Sequence, residues 1–148
     1  HRMVLNNCGG LEKCGYSSTR NGLNNEAAGF LGDLITIATN LGFTVIDPAP
    51  REFEWNDSSP RVYRFRNDDD KPESLFRVRA FLNRNMHIQF HPEFIHALNI
   101  QHGKLKGWLR DDAHAAEELE IPVATARKHF ASNFRLTGEF LKLVSSAA

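Results

Sequence analysis

Residues 75–90 read LFRVRAFLNRNMHIQF, and the fold turns on how this stretch pairs with itself. Val78, Ala80 and Leu82 alternate with Arg77, Arg79 and Phe81; Met86, Ile88 and Phe90 alternate with His87, Gln89 and His91. A period of two marks strands with one covered face. The stretch therefore predicts a hairpin turning at Asn83-Arg84-Asn85. A three-residue loop there pairs Leu82 with Met86, Ala80 with Ile88 and Val78 with Phe90, so all apolar partners share one face. A two-residue loop mixes the faces. Asn85 suits the left-handed dihedrals that such a loop wants. The opposite face pairs Phe81 with His87, Arg79 with Gln89 and Arg77 with His91.

Upstream, RVYRFR at 61–66 alternates like a further strand, and NDDDKPES at 67–74 reads as an acidic turn. Asp68, Asp69 and Asp70 could hold a cation, but adjacent loop carboxylates are usually just solvated. Phe53 and Trp55 anchor a loop at 51–60. Residues 25–41 form the clearest amphipathic helix, with Ala27, Phe30, Leu31, Leu34, Ala38 and Leu41 at helical spacing. Asn24 or Asn25 caps its start and Gly42 ends it, while Gly29 and Gly32 suggest a close helix contact. A short strand follows at 43–46. Residues 4–25, rich in Asn, Gly and Ser, read as loop. His1-Arg2 ahead of Met3 read as a remnant outside the fold.

Downstream, Pro92 suits the first turn of a helix with Phe94, Ile95 and Leu98 inside, broken at Gly103. KLKGWLR at 104–110 is a basic segment around Trp108, which is expected in or at the edge of the core. Residues 115–130, AAEELEIPVATARKHF, have helix-turn-helix spacing. Ala115, Ala116 and Leu119 form one inner stripe, Pro122 forces a break, and Ala126 and Phe130 form the next stripe. Thr125, Arg127, Lys128 and His129 then face outward. Glu120 stands where such turns often carry Gly. The same spacing serves any two packed helices, so DNA reading and a purely structural corner both remain open. Phe134, Leu136, Phe140, Leu141 and Val144 suggest a last strand or helix.

The chain has 148 residues, 41% hydrophobic with 11 Phe, enough for a real core. The expectation is a single α+β domain over 1–148. A loop-rich segment at 4–25 precedes a helix and small antiparallel sheet at 26–91, with a helical region at 92–144. Eighteen basic residues balance eighteen acidic ones, which argues against tight nonspecific nucleic-acid binding but leaves room for a basic patch. No membrane-spanning run or signal-peptide pattern is evident, so a cytoplasmic protein with no membrane partner is the expectation.

No Gly-rich dinucleotide motif, phosphate loop or nucleophile elbow occurs. Cys8 and Cys14, separated by five residues, lack the spacing and further ligands of a zinc site and read as ordinary thiols. His87, His91, His96 and His102 are dense, but His87 and His91 lie about 13 Å apart on an extended strand, too far for one metal. No metal or cofactor is expected.

Residues 81–109, FLNRNMHIQFHPEFIHALNIQHGKLKGWL, resemble an uncharacterised domain family carried by bacterial phages, plasmids and mobile islands. Some members are fused or adjacent to S-adenosylmethionine-dependent DNA methyltransferases. The family pattern is an aromatic-x-Asn-Gly-Asn-x-His-x-x-Phe hairpin followed by a helix. Phe81 to Phe90 match it, except that Arg84 stands where Gly is common. The resemblance covers roughly the second half of the chain. It implies a mobile-element setting and an association with DNA modification, and singles out Asn83, Asn85 and His87. It implies no activity.

These observations point first to a nucleic-acid-binding or accessory domain. Lys104, Lys106, Arg110, Arg127, Lys128 and Arg135 would contact phosphates, Arg77 and Arg79 would make the sheet face basic, and Thr125 would read base edges. A protein-interaction module, an inhibitor or assembly factor, fits the charge balance equally well. An enzyme centred on His87 with Asn85 is the third reading. A basic surface near Arg127, an exposed apolar patch, or a pocket at His87 would separate the three.

Overall fold

A computed structural model describes residues 2–12 and 21–131. The order is β1 (Arg2–Leu5), α1 (Asn25–Asn40), a 3-10 turn (Pro50–Glu52), β2 (Arg61–Arg66), β3 (Pro72–Ala80), β4 (Met86–Phe90), α2 (Pro92–Leu105), α3 (Asp112–Glu118) and α4 (Val123–Ala131). The class is α+β. Backbone contacts gather the described residues into two compact units: those within His1–Ile37 and Thr44–His91, and those within Ala38–Phe43 and Pro92–Ala148.

The first unit holds a four-stranded antiparallel sheet in the order β1-β4-β3-β2. Alternation fixed its faces as expected: Val78, Ala80, Met86, Ile88 and Phe90 are buried, and Arg77, Arg79 and Gln89 point the other way, exposed. Tyr63 stacks on Phe76 with ring centres 4.8 Å apart, adding aromatic packing to the buried side. The register differs from the expectation. Ala80 pairs with Met86 and Val78 with Ile88. The loop has three residues, but they are Leu82-Asn83-Arg84. The Phe81 N–H donates to the Asn85 carbonyl at 3.0 Å, and the Arg84 N–H to the Phe81 carbonyl at 3.2 Å. Arg84, not Asn85, takes the left-handed conformation, at φ 69°. Leu82, expected inside opposite Met86, is 54% exposed. A shift that moves every pair by two residues leaves both faces unchanged, so alternation could not choose between the registers.

The choice is explained by the N-terminal segment. Residues 2–5, expected as remnant and loop, form edge strand β1, and residues 7–11 clasp the hairpin turn. The Cys8 N–H donates to the Arg84 carbonyl at 2.8 Å and the Leu11 N–H to the Phe81 carbonyl at 3.0 Å. A Cβ on Gly10 would lie 2.3 Å from the Phe81 carbonyl oxygen, so the segment seats only with Gly there. The short strand expected at 43–46 is reduced to one bridge, Val45 to Phe65.

Helix α1 starts at Asn24, whose side chain accepts from the Glu26 N–H at 2.8 Å. It ends at left-handed Gly42, with Gly42 N–H on the Thr39 carbonyl and Phe43 N–H on the Ala38 carbonyl. Gly29 and Gly32 mark no close contact among the described residues: beyond the helix's own backbone none of their atoms lies within 4 Å of a Cβ built on either.

In the second unit, Ile100, Ala115, Ala116 and Ala126 form a core, with Leu109, Leu119, Ile121 and Phe130 packed against it. Gly103 does not break α2. It lies inside the helix because Leu109 fills the space a side chain would need, 2.5 Å from a Cβ there. Asp111 caps α3 by accepting from the His114 N–H. The turn into α4 closes with Ile121 N–H on the Ala116 carbonyl and Glu120 N–H on the Glu117 carbonyl. Glu120 is left-handed, at φ 52°. The C-terminal element expected over 134–144, and with it Arg135, lies outside the described residues, as does Cys14.

Candidate nucleic-acid interface

The outward side of the sheet carries two rows set by strand register. One runs Arg2, Gln89, Arg77, Val62; the other runs Val4, His87, Arg79. Three guanidinium groups and an imidazole occupy these rows with no carboxylate among them. His87 faces Arg79 and Gln89 faces Arg77, rather than the expected Phe81 and Arg79; Arg2, Val4 and Val62 join the rows, and His91, expected opposite Arg77, instead lies 3.5 Å from the Glu73 carboxylate.

The groups form a chain of contacts. The Arg79 Cζ lies 5.4 Å from the Phe81 ring centre, and the Phe81 and His87 rings lie 4.7 Å apart at 58°. The Arg2 Nη2 donates to His87 Nδ1 at 2.8 Å, which leaves the imidazole proton on Nε2. Arg79 Nε donates to the Ser58 carbonyl at 2.9 Å, holding its guanidinium over the ring. Arg77, in the first row beside Gln89, is exposed and makes no ion pair among the described residues. Cations interleaved with rings suit a polyanion whose units also stack. Arg2 was missed by the sequence reading, because its role depends on a residue 85 positions away.

The turn residues have structural duties. The Asn83 side chain accepts from the Asn85 N–H at 3.1 Å, and the Asn85 side chain accepts from the Asn7 N–H at 3.2 Å. They shape the loop and hold the N-terminal segment; His87 alone of the three joins the basic face.

The helical unit presents its cations differently. Arg127 Nε lies 3.0 Å from Asp112 Oδ2, and hydrogen bonding to that guanidinium holds the Asp112 carboxyl below its ordinary range. Lys128 Nζ lies 3.3 Å from Glu93 Oε2. Lys104 Nζ donates to the Phe130 carbonyl at 2.6 Å and lies over its ring, capping the end of α4. Thr125 is half-buried. Lys106 and Arg110 are exposed. Residues 92–131 carry five Lys and Arg against six Asp and Glu, so this unit has no cationic excess.

Two expectations fail here. His129 is not on the outer face of α4 but 5% exposed, three residues from Ala126 and so on the same side of the helix. Burial pushes its ring below the ordinary histidine value, only partly offset by Glu93, whose Oε2 lies 3.7 Å away. Trp108 is not core: Leu109 took the seat on Gly103, leaving Trp108 65% exposed. Among the described residues no three or more His, Cys, Asp or Glu side chains are grouped to hold a metal ion, and no helix is long and apolar enough to cross a membrane.

No family model, curated protein or solved structure matches the chain.

Proposed function

We propose that this is a nucleic-acid-binding or accessory domain and that it takes single-stranded nucleic acid on the outer face of its sheet. The observation that carries the reading is the Arg79–Phe81–His87–Arg2 contact chain beside exposed Arg77, on rows without a carboxylate. Guanidinium groups neutralise phosphates, and Phe81 and His87 offer ring faces to unpaired bases. Zero net charge is compatible, because the basic groups are concentrated rather than numerous. The mobile-element setting implied by the resemblance of residues 81–109 agrees with such a role.

A second reading keeps α3 and α4 as a helix-turn-helix unit reading duplex DNA. It is favoured by the left-handed turn at Glu120 and the small residues Ala115, Ala116 and Ala126 between the helices. It is disfavoured because Arg127 and Lys128 already face carboxylates.

Fluorescence anisotropy with labelled single-stranded and duplex oligonucleotides, across a salt series, tests both. Single-strand affinity is expected to fall steeply with salt. The Arg77→Ala/Arg79→Ala variant should flatten that slope by roughly 0.7 per lost phosphate contact. Phe81→Ala should weaken binding by about 1–3 kcal/mol if its ring stacks on a base. Single-strand binding that neither variant alters, or no binding at low salt, overturns the proposal. Duplex binding lost in Arg127→Ala/Lys128→Ala supports the second reading instead.

A further inference from the structure

The end of α2 shows a feature that the sheet face does not use. Leu105 is 76% exposed and Trp108 is 65% exposed, three residues apart. Exposed Leu and Trp are not held there by slack backbone. The Trp108 N–H donates to the Gly103 carbonyl at 2.9 Å, Gly107 N–H to the Lys104 carbonyl at 3.0 Å, and Lys106 N–H to the His102 carbonyl at 3.0 Å. Gly107 is left-handed, at φ 70°. Leu109, seated on Gly103, anchors the far side. The His102 ring meets the Trp108 ring edge-on at 5.4 Å, fixing its tilt. The backbone thus fixes where Leu105 and Trp108 emerge and His102 orients the Trp108 ring, so a partner need not order that ring on binding.

The surrounding charge is one-signed. Residues 101–110, QHGKLKGWLR, contain three basic residues and no acidic one. Lys106 and Arg110 are exposed and form no ion pair among the described residues. Asp111 caps α3, and Asp112 faces Arg127. Trp with Arg at the centre of a small patch is the composition of an interface anchor.

We infer that Leu105, Trp108, Lys106 and Arg110 form a docking site for an acidic segment of a partner protein that also carries apolar side chains. Charge complementarity selects the acidic character, and the Leu105–Trp108 pair selects the apolar one. The chain's own residues 132–148, with Arg135 and Lys142 against Glu139, lack that complement. A fluid bilayer imposes no spacing for two fixed backbone positions to match, and an aliphatic Leu offers a nucleic-acid base little to stack on.

The test is selection of displayed random dodecapeptides on the whole protein, followed by anisotropy with the enriched peptides. Enriched sequences should combine Asp or Glu with Leu or aromatic residues. Trp108→Ala should weaken them by about 30-fold, as for an interface anchor, and Lys106→Ala/Arg110→Ala should remove their salt dependence. Both variants change exposed side chains, and circular dichroism confirms that they fold. No enrichment, or enriched peptides indifferent to Trp108→Ala, overturns the inference. Phosphatidylserine vesicles or oligo-dT shifting Trp108 fluorescence where the peptides do not would reassign the patch to lipid or nucleic acid and also overturn it. A selection that returns the sequence of α3 and the turn after it, with Glu117, Glu118 and Glu120, would make the partner a second copy of this chain and overturn a separate partner.

Discussion

Replacing Glu120 separates two effects that coincide at the end of α3. Glu120 is left-handed at φ 52°, where an L-residue loses roughly 1–2 kcal/mol to its Cβ. Its side chain is exposed and makes no ion pair or hydrogen bond among the described residues, while its N–H donates to the Glu117 carbonyl. It also sits with Glu117 and Glu118 at the negative end of the helix dipole. Glu120→Gln removes the charge alone and should gain about 0.3 kcal/mol. Glu120→Gly removes charge and Cβ together. Glycine's extra freedom in the unfolded chain offsets roughly 0.5–1 kcal/mol of the relief. The net backbone gain beyond Gln therefore lies between about 0 and 1.5 kcal/mol, about 0.75 at the middle of the range. At this chain length 1 kcal/mol raises Tm by about 2–4 °C. Gly107→Ala, at the equivalent turn after α2, should move the opposite way by a similar amount, since Gly107 has φ 70°. Urea unfolding followed by far-UV circular dichroism and Trp108 fluorescence reads all three variants. A Glu120→Gly protein less stable than Glu120→Gln would refute the left-handed turn.

Three further outcomes follow from the same geometry. Gly29→Ala and Gly32→Ala should each stabilise α1 by about 0.5–1 kcal/mol, because beyond the helix's own backbone no atom of the described residues lies within 4 Å of either new methyl; loss of stability in thermal melts would reveal a neighbour there. Tyr63→Phe should stabilise by about 1 kcal/mol, since the buried Tyr63 hydroxyl has no hydrogen-bond partner among the described residues and burial pushes its pKa up; destabilisation on denaturant titration would show it satisfied in solution. His129 should make the protein acid-sensitive. Burial lowers its folded pKa below 6.5, so the neutral ring's contribution is complete above 6.5 and is lost as pH falls towards the folded value. Between the two values the slope approaches at most about 1.4 kcal/mol per pH unit. Comparing His129→Gln with wild type across pH 4–8 isolates the effect; parallel curves would contradict a buried neutral ring.

The basic sheet face and the helical unit respond differently to the charges their sequences carry. Arg77 and Arg79 sit in rows where alternation and register exclude carboxylates. Arg127 and Lys128 look equally available in sequence, yet each meets a carboxylate from another helix, Asp112 from α3 and Glu93 from α2. A basic residue keeps its charge unpaired only where folding brings no acid to it.

By itself the sequence determined whatever repeats within one element. Period-two alternation assigned the faces of β3 and β4, and helical spacing found α1 and the Ala115–Ala116–Ala126 core. Asn24 set a helix start because it acts on its own helix's first N–H groups, and Pro122 separated α3 from α4 because it constrains its own backbone. Tertiary structure decided what depends on distant partners. The hairpin register is locked by residues 7–11, β1 exists only because β4 offers an edge, and the Arg2–His87 contact joins opposite ends of the sheet's sequence. Trp108 and Leu109 are adjacent apolar residues, and only the space over Gly103 determines which packs inward. Local patterns record which way a side chain points; what waits there is set by the rest of the chain.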